Sequence, residues 1–402
     1  MNMDIPPRQD SPNHILNALN NDCIREILIR LYDLEDFLSA SKVCVQFEEC
    51  SLQCPSSKLR MVKINSYLSF DNAKTLFKTF GHLIREIELE RRDEKPSRLI
   101  ELFKMIETFC RKNLTSLRIT IGSADVFSKV LDMCSFPKLE CLGFDSVSDI
   151  TTHLLRTLLS LNPQLKRLEL LFCIVLPFET LQIISRYAPN IESLDFVNSC
   201  FYSHDEITIL TDDETIVPLA SLQHLKELDL GDVFYETYEI KIDKLINKFA
   251  AKNTPIEKLF MSNYEKEDFQ SSLPTLKTLE HMGLDGDTPL DSLKIILQYQ
   301  TSLKSLCFNV RFMRSFTMES LLEHVSFILK FSSKNLSEIS YLAQEFDIAI
   351  KDYENVVNLV KNRILIKIEN FDSIDTTKDI PKHTLKINEK WLCINSVFNH
   401  LS

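Results

Sequence analysis

The chain has 402 residues, 57 acidic against 46 basic side chains, a net charge of −11 and only six glycines. Neither a G-x-G-x-x-G nor a G-x-x-x-x-G-K-[ST] loop can be written from Gly81, Gly122, Gly143, Gly231, Gly283 and Gly286, so nucleotide binding of those two kinds is excluded. The acidic balance argues against nucleic acid as a partner and for a neutral or basic one.

The first residues, MNMDIPPRQDSPNH, are polar and proline-bearing, predict a disordered tail over 1–12 and show no signal-peptide pattern. No apolar run approaches the ~20 residues of a bilayer-spanning helix, so no membrane role is expected. Eleven cysteines follow no disulfide framework, and several sit in apolar stretches such as LFCIV and SLCF, which points to a reducing compartment, cytosol or nucleus.

Residues 19–47, LNNDCIREILIRLYDLEDFLSASKVCVQF, predict three short helices. Ile24, Ile27, Leu28, Leu31 and Leu34 form the first apolar stripe, with Asn20 or Asn21 as its N-cap. Leu34, Phe37 and Leu38 mark a second helix, and Val43, Cys44 and Phe47 a third. A core this small needs a partner or the segment beside it to be stable.

From Leu59 onward the spacing L-x-x-L-x-L recurs. It reads Leu59/Val62/Ile64, Ile84/Ile87/Leu89, Leu114/Leu117/Ile119, Leu139/Leu142/Phe144 and Leu165/Leu168/Leu170 in the first half. The second half continues with Ile191/Leu194/Phe196, Leu225/Leu228/Leu230, Ile256/Leu259/Met261, Leu279/Met282/Leu284 and Leu303/Leu306/Phe308, and a weaker copy starts at Leu336. Successive first positions lie 25, 30, 25, 26, 26, 34, 31, 23 and 24 residues apart. Amphipathic segments at 152–163, 178–189 and 291–300 lie between copies and predict returning helices. One copy cannot bury its leucines alone, whereas stacked copies bury them against each other. The predicted fold is therefore α/β, a leucine-rich repeat solenoid over 56–341 with a parallel sheet inside and helices outside, preceded by a three-helix module at 13–55.

The residue between the last two apolar positions of each copy projects onto the concave sheet. There the chain offers Glu88, Arg118, Gly143, Glu169, Asp195, Asp229 and Phe260, with Asp145, Asp232 and Asp285 nearby. Glu169, Asp195 and Asp229 on adjacent strands, with Phe260 as an apolar anchor, predict a band that receives a basic segment of a substrate protein. The alternative is that these acids only solvate the strand's outer face. Residues 199–224 lengthen one copy, either as a loop overhanging the concave face or as a tolerated insertion. Beyond Tyr341 the pattern fades into AIKDYENVVNLVKNRI, a helix, and ILIKIE, a strand; 342–402 reads as degenerate repeats capping the array.

No H-E-x-x-H exists, Cys44, Cys50 and Cys54 lack a zinc spacing, and no nucleophile elbow surrounds a serine. A non-catalytic protein without metal or cofactor is expected.

The repeats resemble the leucine-rich repeat family, with Cys173 at the ninth position as in its cysteine-containing variety. The front segment resembles an F-box at Leu19, Ile24, Ile27, Leu28, Leu31, Asp36, Val43, Cys44 and the aromatic Phe47, departing from that pattern where Asn20 stands for proline, Phe37 for leucine and Phe47 for tryptophan. Membership in the F-box and leucine-rich repeat family would imply a substrate receptor of an SCF-type ubiquitin ligase, docking on a Skp-family adaptor and through it on cullin. The adaptor-facing residues would be Leu19, Ile24, Ile27, Leu28, Leu31, Leu34, Phe37, Leu38, Val43, Cys44 and Phe47. Two alternatives stay open: the front helices cap the first repeat, and the repeats form an adaptor-independent scaffold or inhibitor that binds a basic protein.

Overall fold

The computed structural model describes residues 19–31, 33–54, 57–92, 94–122, 135–148, 150–173, 176–177, 179–197, 201–202, 213–231, 242–261, 276–285, 288–309, 318–343, 365–370, 384–387 and 390–393, with single positions at 126, 129 and 199. The described residues fall into two compact units, the first holding those up to Ile121 together with 135–139, the second carrying the elements from Glu140 on.

The first unit opens with three helices, α1 (Asn21–Arg30), α2 (Leu34–Ser41) and α3 (Val45–Leu52). Asn20 caps α1 by accepting from the Cys23 amide at 2.8 Å, and Asp33 caps α2 through the Glu35 amide at 2.6 Å. A short α4 (Ser57–Arg60) leads into β1 (Met61–Ile64), α5 (Phe70–Phe80), β2 (Glu86–Glu90), α6 (Pro96–Cys110) and β3 (Ser116–Thr120). The three strands pair in parallel, Val62 beside Ile87 and Ile87 beside Leu117. The front helices are fastened to the first repeat. Phe37 packs on Phe80 with ring centroids 5.7 Å apart, and the Glu35 carboxylate accepts from the Ser69 amide at 3.2 Å and from the Asn72 amide group.

The second unit continues the pattern with β4 (Cys141–Asp145), α7 (Thr152–Leu161), β5 (Arg167–Leu171), β6 (Leu176–Pro177), α8 (Thr180–Tyr187), β7 (Ser193–Asp195), β8 (Phe201–Tyr202), α9 (Asp213–Ala220) and β9 (Glu227–Leu230). It goes on through α10 (Ile242–Lys252), β10 (Lys258–Met261), β11 (His281–Asp285), α11 (Leu290–Tyr299), β12 (Ser305–Asn309), α12 (Met318–Phe331) and β13 (Glu338–Ala343). Last come β14 (Leu365–Asn370), β15 (Thr384–Ile387) and β16 (Lys390–Cys393). Its main sheet runs β4-β5-β7-β9-β10-β11-β12-β13-β14, all parallel in the registers described, so the copy at Leu336 and the strand near ILIKIE both join it. Phe201 and Tyr202 pair in parallel with Leu176 and Pro177 as a two-residue ladder; residues 203–212 of the same insertion and the predicted helix at 349–364 lie outside the described residues.

Each of the thirty repeat positions from Leu59 to Phe308 named above is at most 2% exposed. Within each unit, parallel strands about 4.8 Å apart stack these side chains into rows, so a copy is completed by its neighbours. At the ninth position the stack turns polar: the Cys173 amide donates to Ser199 Oγ at 2.9 Å, and the Ser199 hydroxyl donates to the Leu170 carbonyl. Cys173 and Ser199 are both fully buried. Ser199→Ala would strand one N–H and one C=O, an expected loss of about 1–3 kcal/mol measured by urea unfolding.

Candidate functional site

Two surfaces can carry function. In the first unit, three short helices must bury one face each to exist at all, and Ile24, Leu28, Phe37, Leu38 and Phe47 serve that need: Leu28 is 0% exposed. This corrects the expectation that these five face an adaptor; they form the core behind the surface. Leu19, Leu31, Leu34 and Cys44 are half-buried, and of the predicted set only Ile27 and Val43 are exposed. The outward apolar side chains are Ile27, Ile29, Val43, Val45 and Leu52, with Val45 70% exposed. Ile29, Val45 and Leu52 escaped the sequence reading because they lie off the main stripe. Their signal was residual hydrophobicity on positions that the three-helix core leaves free.

In the second unit the strands' open face carries two rows in register. Gly143, Glu169, Asp195, Asp229, Phe260 and Gly283 stand side by side, as the repeat spacing predicts. Two residues earlier on the same face run Cys141, Arg167, Ser193, Glu227, Lys258, His281, Ser305 and Glu338. The second row was missed, although the same two-residue alternation defines it.

The second row changes the electrostatics. The Arg167 guanidinium donates to Ser193 Oγ at 3.2 Å and to the Glu227 carboxylate at 3.1 Å, and Lys258 Nζ donates to the other Glu227 oxygen at 2.5 Å. Burial pushes the Glu227 carboxyl up, but the hydrogen bond and charge of Lys258, with the charge of Arg167, outweigh it and hold it below the usual carboxylate range. Next along, His281 Nδ1 lies 2.6 Å from Ser305 Oγ; partial burial, joined by the Lys258 charge, pulls this imidazole below its ordinary value.

The expected acidic band is therefore corrected. Glu169 is only 6% exposed and lies 3.9 Å from Arg167. Asp195 accepts from the Val197 amide at 3.0 Å and Asp229 from the Gly231 amide at 2.8 Å, so each closes its own strand with an Asx-type turn. Asp145 accepts from the Ser146 hydroxyl at 2.7 Å. Phe260 is half-buried against the next strand rather than raised as an anchor: a Cβ on Gly283 would fall 2.1 Å from its ring. Asp232 lies outside the described residues, and Arg118 stands in register with Glu88 in the first unit. The face is a cross-linked mixed-charge lattice, which presents fixed hydrogen-bonding groups instead of a uniform negative field.

Another feature stands at the strand ends. After β4 and β5 the backbone turns left-handed at Ser146 (φ 55°) and Phe172 (φ 51°), and the Phe172 side chain is 45% exposed. Serine is a small occupant for such a turn; phenylalanine is not.

Neither a protein-family model nor a curated protein matches this sequence. Solved structures do: a chain in the crystal structure of the Rad7–Elc1 complex from yeast is similar at a TM-score of 0.53 and 17% identity, over 90% of this chain and 91% of that one. The leucine-rich repeat-containing protein LegL7 from Legionella pneumophila is similar at a TM-score of 0.45 and 13% identity, over 80% and 99%. At such identities the likeness concerns the fold, and the fold of this chain is an α/β leucine-rich repeat solenoid.

Proposed function

We propose that this chain is the substrate-recognition subunit of an SCF-type ubiquitin ligase, non-catalytic itself. The front helices dock on a Skp-family adaptor, which joins them to cullin, and the open face of the repeat sheet holds a client protein. The observation that carries the reading is the concentration of exposed aliphatic side chains: of the eleven exposed large hydrophobics among the described residues, five fall between Ile27 and Leu52. Scattered exposed apolar residues need no explanation, but a cluster on one small module marks an interaction surface. Its match to the F-box pattern at Val43, Cys44 and Phe47 supports the same assignment. Rad7, to which this chain is similar in fold, was crystallised in a complex with a second protein, Elc1. A receptor of this kind needs no catalytic group, because holding a lysine near a charged ubiquitin carrier raises its effective concentration. Eleven cysteines spaced without a disulfide framework suit the cytosol or nucleus; burial pushes the Cys110 and Cys173 thiols up to about 12, where they are inert.

A second reading is favoured by the packing of Phe37 on Phe80, which is what a solenoid cap would do. Under it the chain is an adaptor-independent scaffold. Co-purification with a Skp-family adaptor separates the two. The native chain should retain the adaptor, and Val43→Asp combined with Val45→Asp should lose at least tenfold in affinity while keeping its melting temperature. Failure of the native chain to bind would leave the scaffold reading.

A further inference from the structure

The helix side of the second unit carries a cleft of about 310 Å³ between α7 and α8, lined by Thr152 and Arg156 on one wall and by Glu179, Gln182, Arg186 and Tyr187 on the other. Helix α7, THLLRTLLSL, and helix α8, TLQIISRY, contain no carboxylate between them. Arg156 and Arg186 form no ion pair among the described residues, whereas Lys166, Arg167, Lys226, Lys258 and Lys304 of the same unit are all paired. The Arg186 guanidinium lies 5.5 Å from the Tyr187 ring centroid, a stacking contact that restrains it. In a chain of net charge −11, two unneutralised guanidinium groups facing one cleft call for an anion from elsewhere.

The shape of the cleft narrows the choice. Glu179, the N-cap of α8, and Arg186 are seven residues apart, about 10 Å at 1.5 Å per residue, so this wall of the cleft is acidic at one end and basic at the other. An extended peptide covers about 10 Å in three residues. A carboxylate has two oxygens and a single charge, enough for one guanidinium fork. A phosphoryl monoester has three oxygens and nearly two charges, enough for both forks together.

We propose that this cleft binds a phosphorylated serine or threonine of a protein partner, its phosphoryl group held by Arg156 and Arg186, with a basic side chain three residues away meeting Glu179. The site is on the helix side of the fold and stands independently of the ubiquitin-ligase reading.

The test is fluorescence anisotropy on the full chain with labelled peptides carrying phosphoserine and a lysine three residues before or after it. One of the two should bind at least tenfold more tightly than its unphosphorylated and glutamate counterparts, with an affinity that falls as salt rises. Arg156→Ala and Arg186→Ala should each weaken it at least tenfold with unchanged melting temperature, since both side chains are exposed. Glu179→Gln should remove the preference for lysine and keep the dependence on phosphate. Equal binding of the serine or glutamate peptide, or indifference to both arginine substitutions, would overturn the proposal. Inorganic phosphate binding as tightly as the phosphopeptide would overturn the peptide assignment in favour of free phosphate.

Discussion

Replacing Phe308 by alanine is expected to cost about 3–5 kcal/mol of stability, one of the largest single losses available in the second unit. Phe308 is 0% exposed, stacks on Tyr341 of the neighbouring strand at 5.3 Å and 20°, and meets the His324 ring of α12 edge-on at 5.6 Å. Each aromatic pair adds about 0.5–1.5 kcal/mol beyond the area it buries, so the truncation loses two such contacts as well as the ring's transfer energy. Because each repeat leans only on its neighbours, the loss should concentrate near β12 and β13, where hydrogen exchange will show it. The same cluster makes the unit acid-sensitive. Desolvation holds the His324 imidazole below its ordinary 6.5. Well above pH 6.5 both folded and unfolded chains carry it neutral, and no stability depends on it. As pH falls below that value the unfolded chain takes up a proton that the folded chain refuses until its own lower pKa, so stability declines across this window. Urea melts between pH 7.5 and 5 should show the decline in the native chain and a smaller one in His324→Leu, with His281 contributing the remainder in the same direction.

How much of this was legible beforehand depends on whether a repeated constraint or a single contact decides the matter. The inward triplets are set by period alone, since a strand residue that misses the core in one copy misses it in every neighbour. Leu168 and Leu170 could therefore be placed from spacing, and with them the register that sets Glu169 beside Asp195 and Asp229. What the side chains of that row do was not legible. Asp195 and Asp229 turn back on their own backbone, because short acids at a strand end satisfy nearby N–H groups before any partner arrives, and Glu169 is covered beside Arg167. Gly283 makes room for the Phe260 ring one strand away, a contact between copies that no pattern within a copy reveals. The front helices failed for a related reason. A hydrophobic stripe shows which side chains avoid water, and not whether the cover comes from the same chain or another. Ile24 and Leu28 are covered internally, so the available surface consists of the weaker apolar positions around them. Arg156 and Arg186 were passed over because the outer faces of returning helices were read only for their inward leucines.

That distinction leads to the second large effect. Leu28→Asp is expected to unfold the front helices, at a cost of roughly 4 kcal/mol or more, because it places a carboxylate at a position 0% exposed. Helix α1 has few other anchors: Gln46 donates to the Asn21 side chain at 2.8 Å and to the Leu19 carbonyl at 3.3 Å, and Cys50 Sγ lies 3.7 Å from the Asn21 carbonyl. Three helices of 10, 8 and 8 residues cannot outlast the loss of their central leucine. The repeats should survive, since Phe80 loses one ring contact with Phe37 and keeps its place in α5, so hydrogen exchange should collapse over 19–54 and hold from β2 onward. Val45→Asp, at a side chain 70% exposed, should leave that protection intact. If both variants lose the proposed adaptor, only the second locates a docking surface, because in the first the folded module has ceased to exist. An adaptor that tolerates Val45→Asp and Val43→Asp but not Leu28→Asp would show that it needs the folded module and touches another part of it.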